Sequence, residues 1–290
     1  MKRMKTRRSL IKMLSVLLMD SSLILPSLAL ASTSSSTGRD RRKALKTMVT
    51  SVLPLFAPCY IHPSVAKSLT PEEAARNYDS YASTYDRLDG GAPADILGID
   101  EARSELFRQA RGSVLEIGCG TGLNLLKYDF SEVTSLTLLD VSEGMLQEAK
   151  QKAMASKSLR DVPIRFVQGD ATSELVERFG KESFDSVVDS FSFCVMGTQG
   201  AKNCLNQLAQ VVKRKSDGGQ ILLLENARSS NPLLGLYQDG TAETAAAAGG
   251  KGCLYNQDVT RMIRETPGAE MIKETRYALG TIRGYQVQVS

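Results

Sequence analysis

The chain has no tryptophan and a single histidine, His62, among its 290 residues. Histidine-based triads and His-rich metal sites are therefore excluded unless His62 serves them, and His62 lies in a stretch with the composition of a targeting leader. Its five cysteines, Cys59, Cys119, Cys194, Cys204 and Cys253, lack C-x-x-C spacing. That excludes the common zinc and dithiol motifs and reads as reduced or merely buried thiols. Acidic residues are scarce at the start, where residues 1–67 carry 12 of the 36 Lys/Arg but only Asp20 and Asp40. The remainder has 24 basic and 30 acidic residues, a net of −6. An acidic body gives no broad electrostatic reason to bind nucleic acid.

What the leader does contain is Arg, Ser, Thr and short apolar runs. MKRMKTRRSLIKMLSVLL leads to Ala29-Leu30-Ala31; a second unit runs from Arg41-Arg42-Lys43 through the apolar stretch 48–57 to Ser64-Val65-Ala66. The order resembles a bipartite plastid address ending in the thylakoid lumen, with a mitochondrial presequence as the alternative. The run at 48–61 is shorter than the ~20 residues that span a bilayer and carries Pro54 and Pro58, which argues against a membrane helix. Residues 1–67 are accordingly set apart as leader, 68–112 as an N-terminal helical lid and 113–290 as the main domain.

Regular patterning starts near residue 71. Strand-like runs occur at 114–117, 135–139, 164–168, 184–193 and 220–225, with helical patterns at 143–156, 172–180 and 200–214. Apolar strands alternating with amphipathic helices predict βαβ units: a doubly wound, mostly parallel α/β sheet of Rossmann-like type. Segments 269–278 and 281–289 add a C-terminal antiparallel hairpin around Gly280, completing seven strands. AETAAAAGG (242–250) reads as a helix end or loop.

The motif that carries chemistry is SVLEIGCGTGLN (113–124). A strand ending at Ile117 and opening into Gly118, Gly120 and Gly122 before a helix puts bare backbone N–H groups at the sheet's carboxyl edge, where ligands of open α/β sheets bind. Asp140 ends the second strand 22 residues after Gly118 and suits a ribose diol. Asp170 ends the third, suited to an adenine amino group or to capping the next helix. Leu123 stands where a dinucleotide fingerprint wants Gly or Ala.

In that order and spacing, VLEIGCGTG, LLDVS, QGDA, FDSVV and GGQILLLE resemble the class I S-adenosylmethionine-dependent methyltransferases. The type-11 group is nearest, related to the ubiquinone and menaquinone C-methyltransferases. The tail SSNPLLGLYQD…GGKGCLYNQDV is similar to the branch containing the mitochondrial oxidase-assembly-suppressor methyltransferase. The resemblance implies that Glu116 and the loop Gly118, Cys119, Gly120 and Gly122 hold the methionine part of S-adenosylmethionine, with Asp140 on the ribose and Val141 on the adenine. It further implies Asp170 and Ala171 at the adenine edge and Ser190 near the sulfonium. The segment 77–91 looks like the family's lid, with Tyr78, Tyr81 and Tyr85 on one helical face, Tyr85 as a cofactor contact, and Gly90 and Gly91 as a hinge. The family's Lys/Arg-x-Gly-Gly turn appears as KSDGG, Lys215 to Gly219.

Methyl transfer from a sulfonium needs alignment and dryness more than a strong base, which suits a chain nearly without histidine. SFSFC after the fourth strand lacks the N/D-P-P-Y grip on planar nitrogens. An apolar pocket from Phe191, Phe193, Leu233, Leu234, Leu236 and Tyr237 would suit a small lipophilic acceptor, with peripheral membrane association. Asn231, Gln238, Tyr255, Asn256 and Asp258 are either substrate contacts or turn and cap residues. Two other classes stay open: a cofactor-binding assembly factor without turnover, and an NAD-dependent oxidoreductase, which Leu123 and the lack of a Tyr-x-x-x-Lys relay disfavour.

Overall fold

The computed structural model describes residues 68–89, 98–248 and 252–290. The leader and the Gly90-Gly91 hinge lie outside the described residues. The chain divides at residue 64, and every described residue belongs to the second unit.

Seven strands form one sheet: β1 (Gly112–Ile117), β2 (Val133–Asp140), β3 (Ile164–Gln168), β4 (Ser186–Ser190), β5 (Gln220–Asn226), β6 (Ala269–Tyr277) and β7 (Ile282–Val289), in the order β3-β2-β1-β4-β5-β7-β6. The first five are parallel, and β7 inserts antiparallel between β5 and β6. Near-continuous apolar runs mark the central strands, as expected when helices cover both faces. β6 instead shows polar, half-exposed positions such as Lys273 and Arg276, which blunt an edge. The expected hairpin is present, turned by Ala278–Gly280 with all three residues at positive φ.

The helices are α1 (Pro71–Asp89), α2 (Ile99–Phe107), α3 (Glu143–Ala155), α4 (Leu175–Phe179), α5 (Phe193–Val211), α6 (Pro232–Ala248) and α7 (Val259–Glu265). Ser142 caps α3, its Oγ accepting from Met145 N at 3.1 Å, and Asp258 caps α7 as the sequence suggests. Three expectations need correction. The fourth strand stops at Ser190, because Phe191 turns to φ +61° and α5 starts at Phe193. The pattern at 172–180 yields one helical turn, since Asp170 gathers Thr172 and Ser173 into a turn first. No regular helix follows the glycine loop; Gly122, Leu125 and Lys127 donate three residues back, to Cys119, Gly122 and Asn124, in consecutive turns.

Strand periodicity decides which carboxylates meet. Leu115, Ile117, Val187 and Leu223 pack on the face covered by α5 and α7, while Val114, Val188, Leu222 and Leu224 pack on the α2–α3 face. Asp189 and Glu225 keep the parity of the first set, whereas Glu116 keeps that of the second. We expect Leu222→Ala and Leu223→Ala, buried on opposite faces of β5, each to cost about 2–5 kcal/mol in urea unfolding. A silent substitution at either would mean that its face of the sheet is uncovered.

Candidate functional site

A cavity of about 250 Å³ lies at the carboxyl ends of β1, β2 and β4, the edge where open α/β sheets take ligands. Gly118 and Gly120 form part of its floor, Asp140 and Asp170 one side, and Tyr78 and Tyr85 of α1 the roof. No Lys, Arg or His side chain is among the described residues that line it.

The floor depends on bare backbone. Gly118 sits at φ +53°, and a Cβ there would lie 2.6 Å from Ser192 Cβ, so a side chain would push the β4–α5 turn away. At Gly120 a Cβ would meet no protein atom within 4 Å; the space above that backbone belongs to the cavity. Asp140 holds this loop in place. Its Oδ2 accepts from Gly120 N at 2.8 Å and its Oδ1 from Ser142 N at 2.9 Å. Burial pushes its carboxyl up to about 6 against the pull of those two N–H groups.

Of the sequence-predicted residues, Gly118, Gly120, Asp140, Val141, Asp170, Ala171, Ser190 and Tyr85 line the cavity. Glu116, Cys119 and Gly122 do not; they support the loop from behind. Glu116 is buried, accepting from Asn124 Nδ2 at 2.8 Å and Tyr128 OH at 2.6 Å. Asn124 also donates to Ser190 Oγ at 3.0 Å, so the strand carboxylate reaches the cavity only through a neighbour. Cys119 is fixed by its N–H to Leu139 O at 3.1 Å, with its thiol buried. Gly122 is occupied by packing, its Cβ position 2.7 Å from Leu125 Cδ1. Asp170 does act as a turn cap: Thr172 N, Thr172 Oγ1 and Ser173 Oγ donate to it within 2.8 Å.

The roof is stitched down by two aspartates that sequence reading missed. Asp79 Oδ1 accepts from Ser142 Oγ at 2.5 Å and Gly144 N at 2.9 Å, placing an acid at the N-terminus of α3. Asp86 accepts from Thr121 Oγ1 at 2.5 Å and pairs with Lys152. Their seven-residue spacing was the available signal, and α1 kinks between them at Tyr81 (φ −127°, ψ 15°). Tyr78, Tyr81 and Tyr85 do cluster, with ring centroids 5.2–6.3 Å apart.

Behind the β4–α5 turn sit two further acids. Ser192 Oγ donates to Asp189 Oδ1, while Ser192 N and Phe193 N donate to Glu225 Oε1 at 3.0 and 3.1 Å. Asp189 Oδ2 and Glu225 Oε2 find no hydrogen-bond donor among the described residues, and the two buried carboxyls lie close enough to act on one another. Burial raises the pKa of both. An acid near the end of each of two adjacent apolar strands was legible as a signal. The pair fixes the turn in which Phe191 takes its positive φ, its ring under the Arg103 guanidinium at 5.2 Å.

The anticipated apolar pocket is not assembled as expected. Phe191 lines the cavity, Phe193 is core, and Leu233, Leu236 and Tyr237 are exposed on α6. Leu69, Val195 and Met196 supply apolar wall instead. The post-β5 polar residues form turns and caps: Asn231 Oδ1 accepts from Leu233 N, Gln238 bonds Ser229, Ala227 and Tyr255 backbones, Asn256 bonds Asp239, and Tyr255 OH pairs with Thr241.

Burial pushes the Glu116 carboxyl up to about 7 from 4.5 despite its two hydrogen bonds. A carboxyl whose pKa is higher folded than unfolded favours the fold fully below pH 4.5 and loses that contribution as pH rises through about 7. Glu116→Gln removes the charge while its amide oxygen still accepts from Asn124 Nδ2 and its NH2 donates to the Tyr128 hydroxyl, which turns to accept. Between pH 4 and 8 its stability should gain on wild type by on the order of 2–3 kcal/mol, read in urea midpoints; parallel pH profiles would refute the buried titration.

Residues 114–215 match a family model described as a methyltransferase domain. The mitochondrial methyltransferase OMS1 of Saccharomyces cerevisiae is 28% identical over 222 residues, 72% of this chain but only 43% of that protein. The ubiquinone/menaquinone biosynthesis C-methyltransferase UbiE of Azotobacter vinelandii is 26% identical over 75% of this chain and 85% of its own. An O-methyltransferase family protein from Burkholderia thailandensis shares the fold at a TM-score of 0.57 and 16% identity, covering 86% of this chain and 70% of that one. So does the cyclase SpnF, at 0.57 and 17%, over 74% and 77%. Through β1 to β4 and α5, then, residues 114–215 carry a methyltransferase domain by the family model, and methyltransferase relatives align with about three quarters of the chain.

Proposed function

We propose that the protein transfers a methyl group from S-adenosylmethionine to a small, lipophilic acceptor. The observation that carries this reading is the cavity itself: bare glycine backbone, two carboxylates, an apolar wall and no cationic side chain. A lining of that sign suits a positively charged nucleoside and gives an anionic acceptor no counter-charge. The fold alone would not decide it, since a cyclase shares it.

Within this reading, Asp140 takes the ribose hydroxyls with the acceptor lone pairs left beside its two backbone bonds, and Val141 packs on the adenine. Asp170 and Ala171 meet the adenine edge. Gly118 and Gly120 leave room for the methionine part, Ser190 faces the reacting end, and Glu116, Cys119 and Gly122 hold the loop's shape. Tyr78 and Tyr85 close α1 over the site as a lid and exclude water. The bound cofactor supplies a methyl group already activated on a sulfonium, so these residues orient and desolvate rather than abstract protons. Burial raises the Tyr78 hydroxyl well above its ordinary value, which keeps it a neutral hydrogen-bonding group at physiological pH.

The acceptor meets the wall of Leu69, Val195 and Met196. No helix among the described residues is long and apolar enough to cross a membrane; Leu233, Leu236 and Tyr237, exposed on α6, suit peripheral contact with one. The yeast relative carries a mitochondrial name, which supports a mitochondrial rather than plastid address for residues 1–67.

Calorimetric titration of the full chain should give binding of S-adenosylmethionine and S-adenosylhomocysteine but not NAD, with at least a tenfold loss, about 1.4 kcal/mol, in folded Asp140→Ala. Absence of binding by the folded wild type would refute the reading. With methyl-labelled cofactor and a mitochondrial extract, label should enter the organic-soluble small molecules. Label confined to RNA or protein would overturn the acceptor class.

A further inference from the structure

The fold brings together two cysteines that lie 59 positions apart in sequence. Cys194 opens α5 and Cys253 lies in the segment before α7, and Asn226 Nδ2 donates to both sulfurs at 3.7 Å. Leu254 N donates to Cys194 O at 2.9 Å, so the backbones that carry the two thiols are hydrogen-bonded neighbours. Cys194 is buried and Cys253 half-buried. The groups that face the pair are Glu225 from β5, Tyr78 from α1 and Tyr255 from Cys253's own segment.

Each cysteine adjoins the cavity wall. Val195 and Met196 follow Cys194, while Gly252 precedes Cys253 and lies against Leu69, its Cβ position 2.5 Å from Leu69 Cδ1. We propose that Cys194 and Cys253 form a peroxide-sensitive dithiol whose disulfide fastens the segment at 252–258 to the start of α5 beside the cavity.

The half-buried thiol reacts first. Peroxide converts Cys253 to a sulfenic acid and leaves as water; the Cys194 sulfur then attacks the Cys253 sulfur, expelling a second water. Two thiols lose two hydrogens and one peroxide becomes two waters. Cys119 and Cys204 are too deeply buried to compete.

The test needs no assumption about methyl transfer. The full chain is treated with hydrogen peroxide, alkylated and mapped by peptide mass spectrometry. The expected product is a Cys194–Cys253 cross-link that dithiothreitol reverses, with slower amide exchange over 252–258 and unchanged exchange in peroxide-treated Cys253→Ser. Sulfinic acid at Cys253 with Cys194 still alkylated, a bond from either residue to Cys59, or no oxidation of the pair would each overturn it. Should Cys253→Ser fold poorly, the cross-link in wild type and its reversal still decide the matter.

Discussion

Two loops converge on the Asp140 carboxylate, and the site depends on that convergence. Gly120 N comes from the turn after β1 and Ser142 N from the turn after β2; each donates to a different oxygen of one side chain. Hydrogen bonds to a carboxylate are among the stronger ones, and burial removes the water that would compete. The glycines make such an approach feasible by leaving the backbone bare. Ser142 then caps α3, and Asp79 binds that cap from the lid, so one acidic position links the sheet edge, the first crossover helix and the roof.

Carboxyls are distributed through the domain by strand parity. Glu116 stays on the α2–α3 face with Asn124 and Tyr128, while Asp189 and Glu225 lie together on the opposite face under the β4–α5 turn. Both arrangements put buried acids against the loops that shape the cavity rather than into it. Such networks are costly when incomplete, which explains why their partners are drawn from N–H and hydroxyl groups already present in the turns.

Much of this was legible in the sequence. The apolar runs of β1, β2, β3 and β5 and the terminal hairpin are encoded by short-range patterns, and the glycine loop, Asp140 and Asp170 stand at the strand ends where those patterns put them, whereas β4 is shorter than its apolar run. What escaped was long-range. Leu233, Leu236 and Tyr237 look like pocket residues by type but are exposed because α6 presents them outward. Cys194 and Cys253 show no motif because only tertiary packing makes them neighbours. The helix expected after Gly122 fails because three glycines on alternate positions, all at positive φ, favour turns over a helical start. Asp79 and Asp86 were hidden in a stretch read for its tyrosines.

The cavity wall begins with the first described residues of the chain. Ser68 and Leu69 border the cavity, Ser68 lies against Gly197 and Leu69 against Gly252. The wall of the site therefore rests on a short stretch of chain that precedes α1, held by its contacts with two glycines. Loss of Ser68 and Leu69 would open that wall to water, so two residues outside every strand and helix become a condition on how dry the site stays.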